Sequence, residues 1–223
     1  MSTKKSNLAI AMDELQTRLR LPLKEWGFRK RGRTFNRTNE DGLTEVINFQ
    51  MGSFDPPGTY QISGFHINLY GKFTVNVGVF IPEVGAYLLS GKQKDFFQEY
   101  DCCIRSRIGL LGPEQKDLWW EVISEELLAL DLRQRIERNV LPFFSKFNSR
   151  DAIVAEGLKS GENSFFANPP RIVCAIILVE RGERPTAHRL LRAQATETRN
   201  PGHPEYVRKL AARLGLGELD TAS

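Results

Sequence analysis

Apolar residues recur at two different periods along this chain, and the change of period marks where its architecture changes. Over residues 7–26, Leu8, Met12, Leu15, Leu19 and Leu23 keep helical spacing, which predicts an amphipathic helix of about four turns. Pro22 removes a backbone donor from that ladder and predicts its end or a kink. Gly27 is a natural corner into the next element.

From Arg33 the period becomes two. Residues 33–38 read as a strand, Asp41-Gly42 as a hairpin turn and 43–51 as the returning strand. The second strand sets Leu43, Glu45, Ile47, Phe49 and Met51 on one face, with Thr44, Val46, Asn48 and Gln50 on the other. Asp55-Pro56-Pro57-Gly58 forms a turn, and residues 60–69 are a weaker strand that Gly64 interrupts. The cleanest strand is 73–81, where Phe73, Val75, Val77, Val79 and Ile81 alternate with Thr74, Asn76, Gly78 and Phe80 before Pro82 closes it. Residues 102–111 add another, with Cys102, Ile104, Ser106 and Ile108 opposing Cys103, Arg105 and Arg107. The pattern predicts an α+β fold: a curved antiparallel sheet of about four to six strands, its apolar face covered by helices.

The remainder reads mostly as helix. Residues 83–100 form a loop and a short helix, and Gly112-Pro113 makes a turn. Ser124 is a candidate N-cap for a long helix over 124–140 that directs Leu127, Leu128, Leu132, Ile136 and Val140 to the core; Pro142 disturbs its end. A shorter helix runs from Asn148-Ser149 to about Leu158, and 159–163 is a polar break. Three further helices, separated by Gly182 and by His203-Pro204, make a C-terminal extension with the look of half a tetratricopeptide-like hairpin. One copy is not a stacking array, so packing on the main body is expected. The division predicted is an α+β domain over 1–160 and a helical extension over 165–223.

The second sheet face changes the picture, because it carries Thr34, Asn36, Thr38, Asn48, Gln50, Thr74 and Asn76, neutral hydrogen-bonding groups rather than charges. Solvation of one face is the ordinary fate of an antiparallel sheet. The functional alternative is a concave binding surface built from Asn36, Asn48, Gln50 and Asn76 and bordered by Arg105 and Arg107.

Charge is uneven along the chain. Residues 1–37 hold ten Lys/Arg against three acids, +7, whereas the other 186 hold 21 against 24, −3. A basic end on a mildly acidic body suits nucleic acid or an acidic protein, although such runs are often only solvation. Arg29, Lys30, Arg31 and Arg33 are interleaved with Trp26, Phe28 and Phe35, the pairing that single-strand binders use, unless the two phenylalanines face the core. At 223 residues, with 41% hydrophobic and 26% charged, the chain can bury the core of one large domain or of one domain with an appendage. The N-terminus develops no apolar leader and no run of about eighteen apolar residues occurs, so neither secretion nor membrane insertion is expected. Three cysteines, two of them adjacent, point to reduced thiols in a cytoplasm.

No catalytic constellation stands out. His66, His188 and His203 lack partners at metal-site spacing, so no metal or cofactor is expected. His66 is a candidate general base, less favoured than a sheet histidine with satisfied hydrogen bonds. Cys103 beside Arg105 is a candidate activated thiol, less favoured than a buried strand cysteine.

Five segments occur in an order that resembles a known family: 27–35 (GFRKRGRTF), 46–50 (VINFQ), 73–78 (FTVNVG), 104–109 (IRSRIG) and Trp119-Trp120. Together they look like the bacterial domain-of-unknown-function 4304 family over roughly residues 10–150. The resemblance implies an α+β domain of a bacterial cytoplasmic protein and carries no activity to transfer. The expectation is a non-enzymatic binding or adaptor protein with an unidentified protein partner, accessory to a defence or toxin–immunity system in the style of that family. Nucleic-acid binding through the basic N-terminal segment is the alternative.

Overall fold

A computed structural model describes residues 5–52, 68–89, 94–159 and 165–219. The weaker strand expected over 60–69, with His66, falls almost wholly outside them. Helix α1 (Asn7–Glu25) starts at Ser6, whose hydroxyl accepts from the Ala9 N–H, and buries Met12, Leu15, Leu19 and Leu23. It does not end at Pro22. The proline ring is itself buried beside Leu23, and this burial offsets the backbone bond its nitrogen cannot make. The turn comes at Gly27, whose φ of 88° suits a residue without Cβ.

The sheet is antiparallel throughout, in the order β1 (Arg29–Arg31), β2 (Thr34–Thr38), β3 (Thr44–Met51), β4 (Lys72–Phe80), β5 (Ile104–Arg107). A short β6 (Trp120–Glu121) pairs with the start of β4. The far side of β5 is met by residues 165–167: Arg105 N–H donates to Phe165 O, and Ala167 N–H to Cys103 O. The opposite edge, β1, is exposed at all three residues.

Two elements, the strand over 102–111 and the helix after Ser124, depart from the periodic reading. The strand expected to run to 111 stops at Arg107, and Ile108–Leu111 is a helical turn, α3. Cys102 and Cys103 exchange faces relative to strict alternation: a 3-10 turn at Glu99–Asp101 immediately precedes them, and regular strand begins only at Ile104. Helix α4 (Glu126–Arg135) has Glu125 rather than Ser124 at its N-cap position, with no side-chain capping bond, and the Ser124 hydroxyl instead accepts from Arg18. That phase turns Leu127 outward, 77% exposed, while Ala129 and Leu132 face inward. A π-helical segment, Ile136–Val140, then widens the helix before α5 (Leu141–Lys146), which absorbs Pro142 near its start.

Helix α2 (Pro82–Leu88) follows β4, and α6 (Arg150–Gly157) is capped by the Ser149 hydroxyl. The C-terminal helices α7 (Pro170–Glu180), α8 (Arg184–Glu197) and α9 (His203–Arg213) complete the chain. Every residue of α7 from Ile172 to Leu178 is buried. Most of them join Phe49, Val75 and Val77 of the sheet, Leu19 of α1 and Leu132 of α4 in one hydrophobic core. Helices therefore cover one sheet face, and the polar face lies opposite.

A polar cleft beside a self-satisfied network

Cross-strand register lays the polar face out in rows. Thr34, Asn48, Asn76 and Arg107 are direct neighbours across β2–β5, and Asn36, Val46, Gly78 and Arg105 form the next row. Side chains two residues apart on a strand share a face, so these rows stack.

One half of the face is closed by the segment leading into β5. Asn36, 4% exposed, donates its amide to Phe97 O at 2.9 Å and accepts the Phe97 N–H at 2.7 Å. Asn48 donates to Thr34 Oγ1 at 2.8 Å, and that hydroxyl donates to Gln98 Oε1 at 2.6 Å. Asp101 fixes the segment by accepting from the Gln98 N–H at 2.9 Å and from Lys94 Nζ at 2.6 Å. Phe97 stacks on Phe80 with centroids 3.7 Å apart, and Cys102 lies against Val46 and Phe80. Gly78 makes room for this: a Cβ there would sit 2.7 Å from that of Cys102.

The other half is open. A cleft of about 370 Å³ is lined by Gln50, Asn76, Glu99, Arg105, Arg107 and Asp117, among others. Asn76 donates to Gln50 Oε1 at 2.6 Å, which turns the Gln50 amide nitrogen away from Asn76. Arg107 is held by Asp117 and lies over Trp119, 5.4 Å from the ring centre, while the indole N–H also donates to Asp117 at 3.1 Å. The side chains of half-buried Arg105 and Glu99 make no hydrogen bond or ion pair with any described residue. Of the six residues singled out from the sequence, Gln50, Asn76, Arg105 and Arg107 thus share one cleft, whereas Asn36 and Asn48 are committed to the neighbouring network. Glu99 and Asp117 come from a 3-10 turn and a loop without periodicity, so no sequence pattern announced them.

The other candidates lie elsewhere. Arg29, Lys30 and Arg31 are exposed on β1; Arg31 makes a two-pronged pair with Asp95 at 2.9 and 3.0 Å, and Arg33 is half-buried. Phe28 and Phe35, at 3% and 1% exposure, belong to the core. Burial pushes the Cys103 thiol up to about 12, so it stays protonated at neutral pH. His188 and His203 meet Glu218 O and Gln194 respectively. Among the described residues there is no cluster of His, Cys, Asp or Glu able to hold a metal, and no helix long and apolar enough to cross a membrane.

These features define an α+β protein whose open antiparallel sheet carries a polar cleft on the face away from its helices. The family described as Domain of unknown function (DUF4304) matches residues 19–146, more than half of the chain, and the chain belongs to that family. The match takes in the whole described sheet and helices α2–α5, and ends before α6. No curated protein and no solved structure matches.

Proposed function

We propose that this chain is a non-enzymatic binding protein of the bacterial cytoplasm that receives a protein partner in the cleft around Arg105. One observation carries the reading. A guanidinium, a side chain suited to anchoring polar partners, stands half-buried and without a partner among the described residues, beside an uncommitted amide nitrogen. The adjoining network supports it, because Asn36, Asn48 and Gln98 brace the strands and turn that place Gln50, Asn76 and Glu99. The bacterial and cytoplasmic setting draws on the family resemblance and on three free, buried cysteines.

The test is capture from native cell lysate with the full chain, one half nuclease-treated, repeated with a Gln50→Ala/Leu110→Ala chain in which two exposed cleft residues are truncated. A defined protein recovered from both halves, and lost with the double variant, is the expected result. Recovery indifferent to the cleft variant overturns the proposal. Nucleic acid recovered and lost on treatment would favour β1 instead. In that alternative log affinity falls linearly with log salt, and reversal of Arg29, Lys30 and Arg31 to Glu abolishes binding; affinity untouched by the reversal would remove it.

A further inference from the structure

We infer that the cleft recognises a carboxylate, the side chain of a Glu or Asp in an extended segment of the partner. This rests on the proposed function and names the chemistry of the same site. Four charged side chains line the cleft, Arg105 and Arg107 against Glu99 and Asp117, so its formal charge is balanced. Asp117 already neutralises Arg107. One guanidinium is left open, and the planar fork of an arginine matches the two oxygens of a carboxylate.

The balance argues against more highly charged ligands. A phosphate dianion or a nucleic-acid backbone entering beside Arg105 would share the cleft with Glu99 and Asp117, and the repulsion between like charges grows with the charge of the ligand. A single carboxylate needs only the one fork. Gln50 supplies a further donor, because Asn76 occupies its oxygen and leaves the amide nitrogen for an incoming acceptor. Glu99, also without a partner among the described residues, would favour a Lys or Arg close to that acidic residue in the same segment. A volume of about 370 Å³ suits a side chain with its flanking backbone rather than a packed helix.

The test is a titration of the ¹⁵N-labelled full chain, watching the Gln50 side-chain amide and the Arg105 Nε–H. The probes are the blocked pentapeptide Ala-Ala-Glu-Ala-Ala, its Gln counterpart and inorganic phosphate. The Glu peptide should move both signals to saturation, on the order of tenfold more tightly than the Gln peptide or phosphate. Arg105→Gln should abolish that response while the remaining amide spectrum is retained, and Arg105→Lys should restore it only in part. Equal response to the Glu and Gln peptides, a stronger response to phosphate, or a response that survives Arg105→Gln would overturn the inference. Lysate capture that depends on Gln50 and Leu110 yet ignores Arg105→Gln would remove the carboxylate inference and leave the binding surface standing. Capture that ignores the cleft removes the surface itself.

Discussion

Asn48 and Asn76 stand directly opposite one another on β3 and β4, yet their amides serve different partners: Thr34 Oγ1 at 2.8 Å for the first, Gln50 Oε1 at 2.6 Å for the second. The boundary between a closed and an open half of the sheet face runs between them. Asparagines that look equivalent in sequence therefore carry different consequences when removed.

Asn36→Ala should be clearly destabilising. It strips the Phe97 N–H and C=O of their only side-chain partner among the described residues, and unpaired polar groups in a closed setting cost roughly 1–3 kcal/mol. Gln50→Ala, at an exposed position, removes the acceptor of the Asn76 amide only where the cleft is open and water can replace it, so it should cost less than Asn36→Ala. Urea midpoints of the two variants compare the costs, and faster exchange of the Phe97 amide in Asn36→Ala alone would locate the loosened segment.

Gly78→Ala should lower stability by about 1–3 kcal/mol, the usual cost of forcing an added methyl into a packed site. The new Cβ would lie 2.7 Å from the Cys102 Cβ and 3.0 Å from Ile104 O, so strand and turn must separate. Adding Cys102→Gly to the same chain should recover part of the loss. An unchanged midpoint for Gly78→Ala would show that the segment does not sit on β4.

Glu45 gives the sheet a pH dependence of known sign. Burial raises its pKa above the ordinary 4.5, and the Arg37 pair at 2.5 Å only partly opposes this. With the folded pKa above the unfolded one, the folded state binds the proton more tightly. The resulting contribution is present below the unfolded value and lost as pH rises through the folded one. The stability of the natural chain relative to Glu45→Gln should accordingly fall as pH rises upward from about 4. Denaturation midpoints at a series of pH values measure it; a flat or rising difference would contradict the buried placement.

The phase of α4 can be checked with two leucines. Leu127→Ser should be tolerated within about 0.5 kcal/mol because the side chain is exposed. Leu132→Ala should cost about 2–5 kcal/mol because that side chain is fully buried. Comparable losses from both would restore the inward Leu127 that spacing alone suggests.

Much of the architecture is legible in the chain because β2, β3 and β4 alternate so strictly that register and faces follow from residue type. What escapes has physical reasons. β1 is Arg-Lys-Arg, with no apolar residue to signal a strand, and becomes one only through its pairing with β2 around Gly32. β6 is two residues recruited by Lys72 and Phe73. For the cleft, the face and both arginines could be read from alternation, but which half stays open could not. That is decided by Phe97 and Gln98, about sixty residues from Asn36, whose contacts are long-range and aperiodic.

The π segment at Ile136–Val140 also fixes something about length. A π turn carries one residue more than an α turn, so everything after it is rotated relative to an uninterrupted helix. Downstream lie Phe143, Phe144 and Phe147; the Phe143 ring meets the other two, and Phe28 and Phe165 pack against the same group. Excising one residue from the segment would regularise the helix yet swing those rings by about 100° around its axis, out of the core. At this point in the chain, a count of residues matters more than their identity.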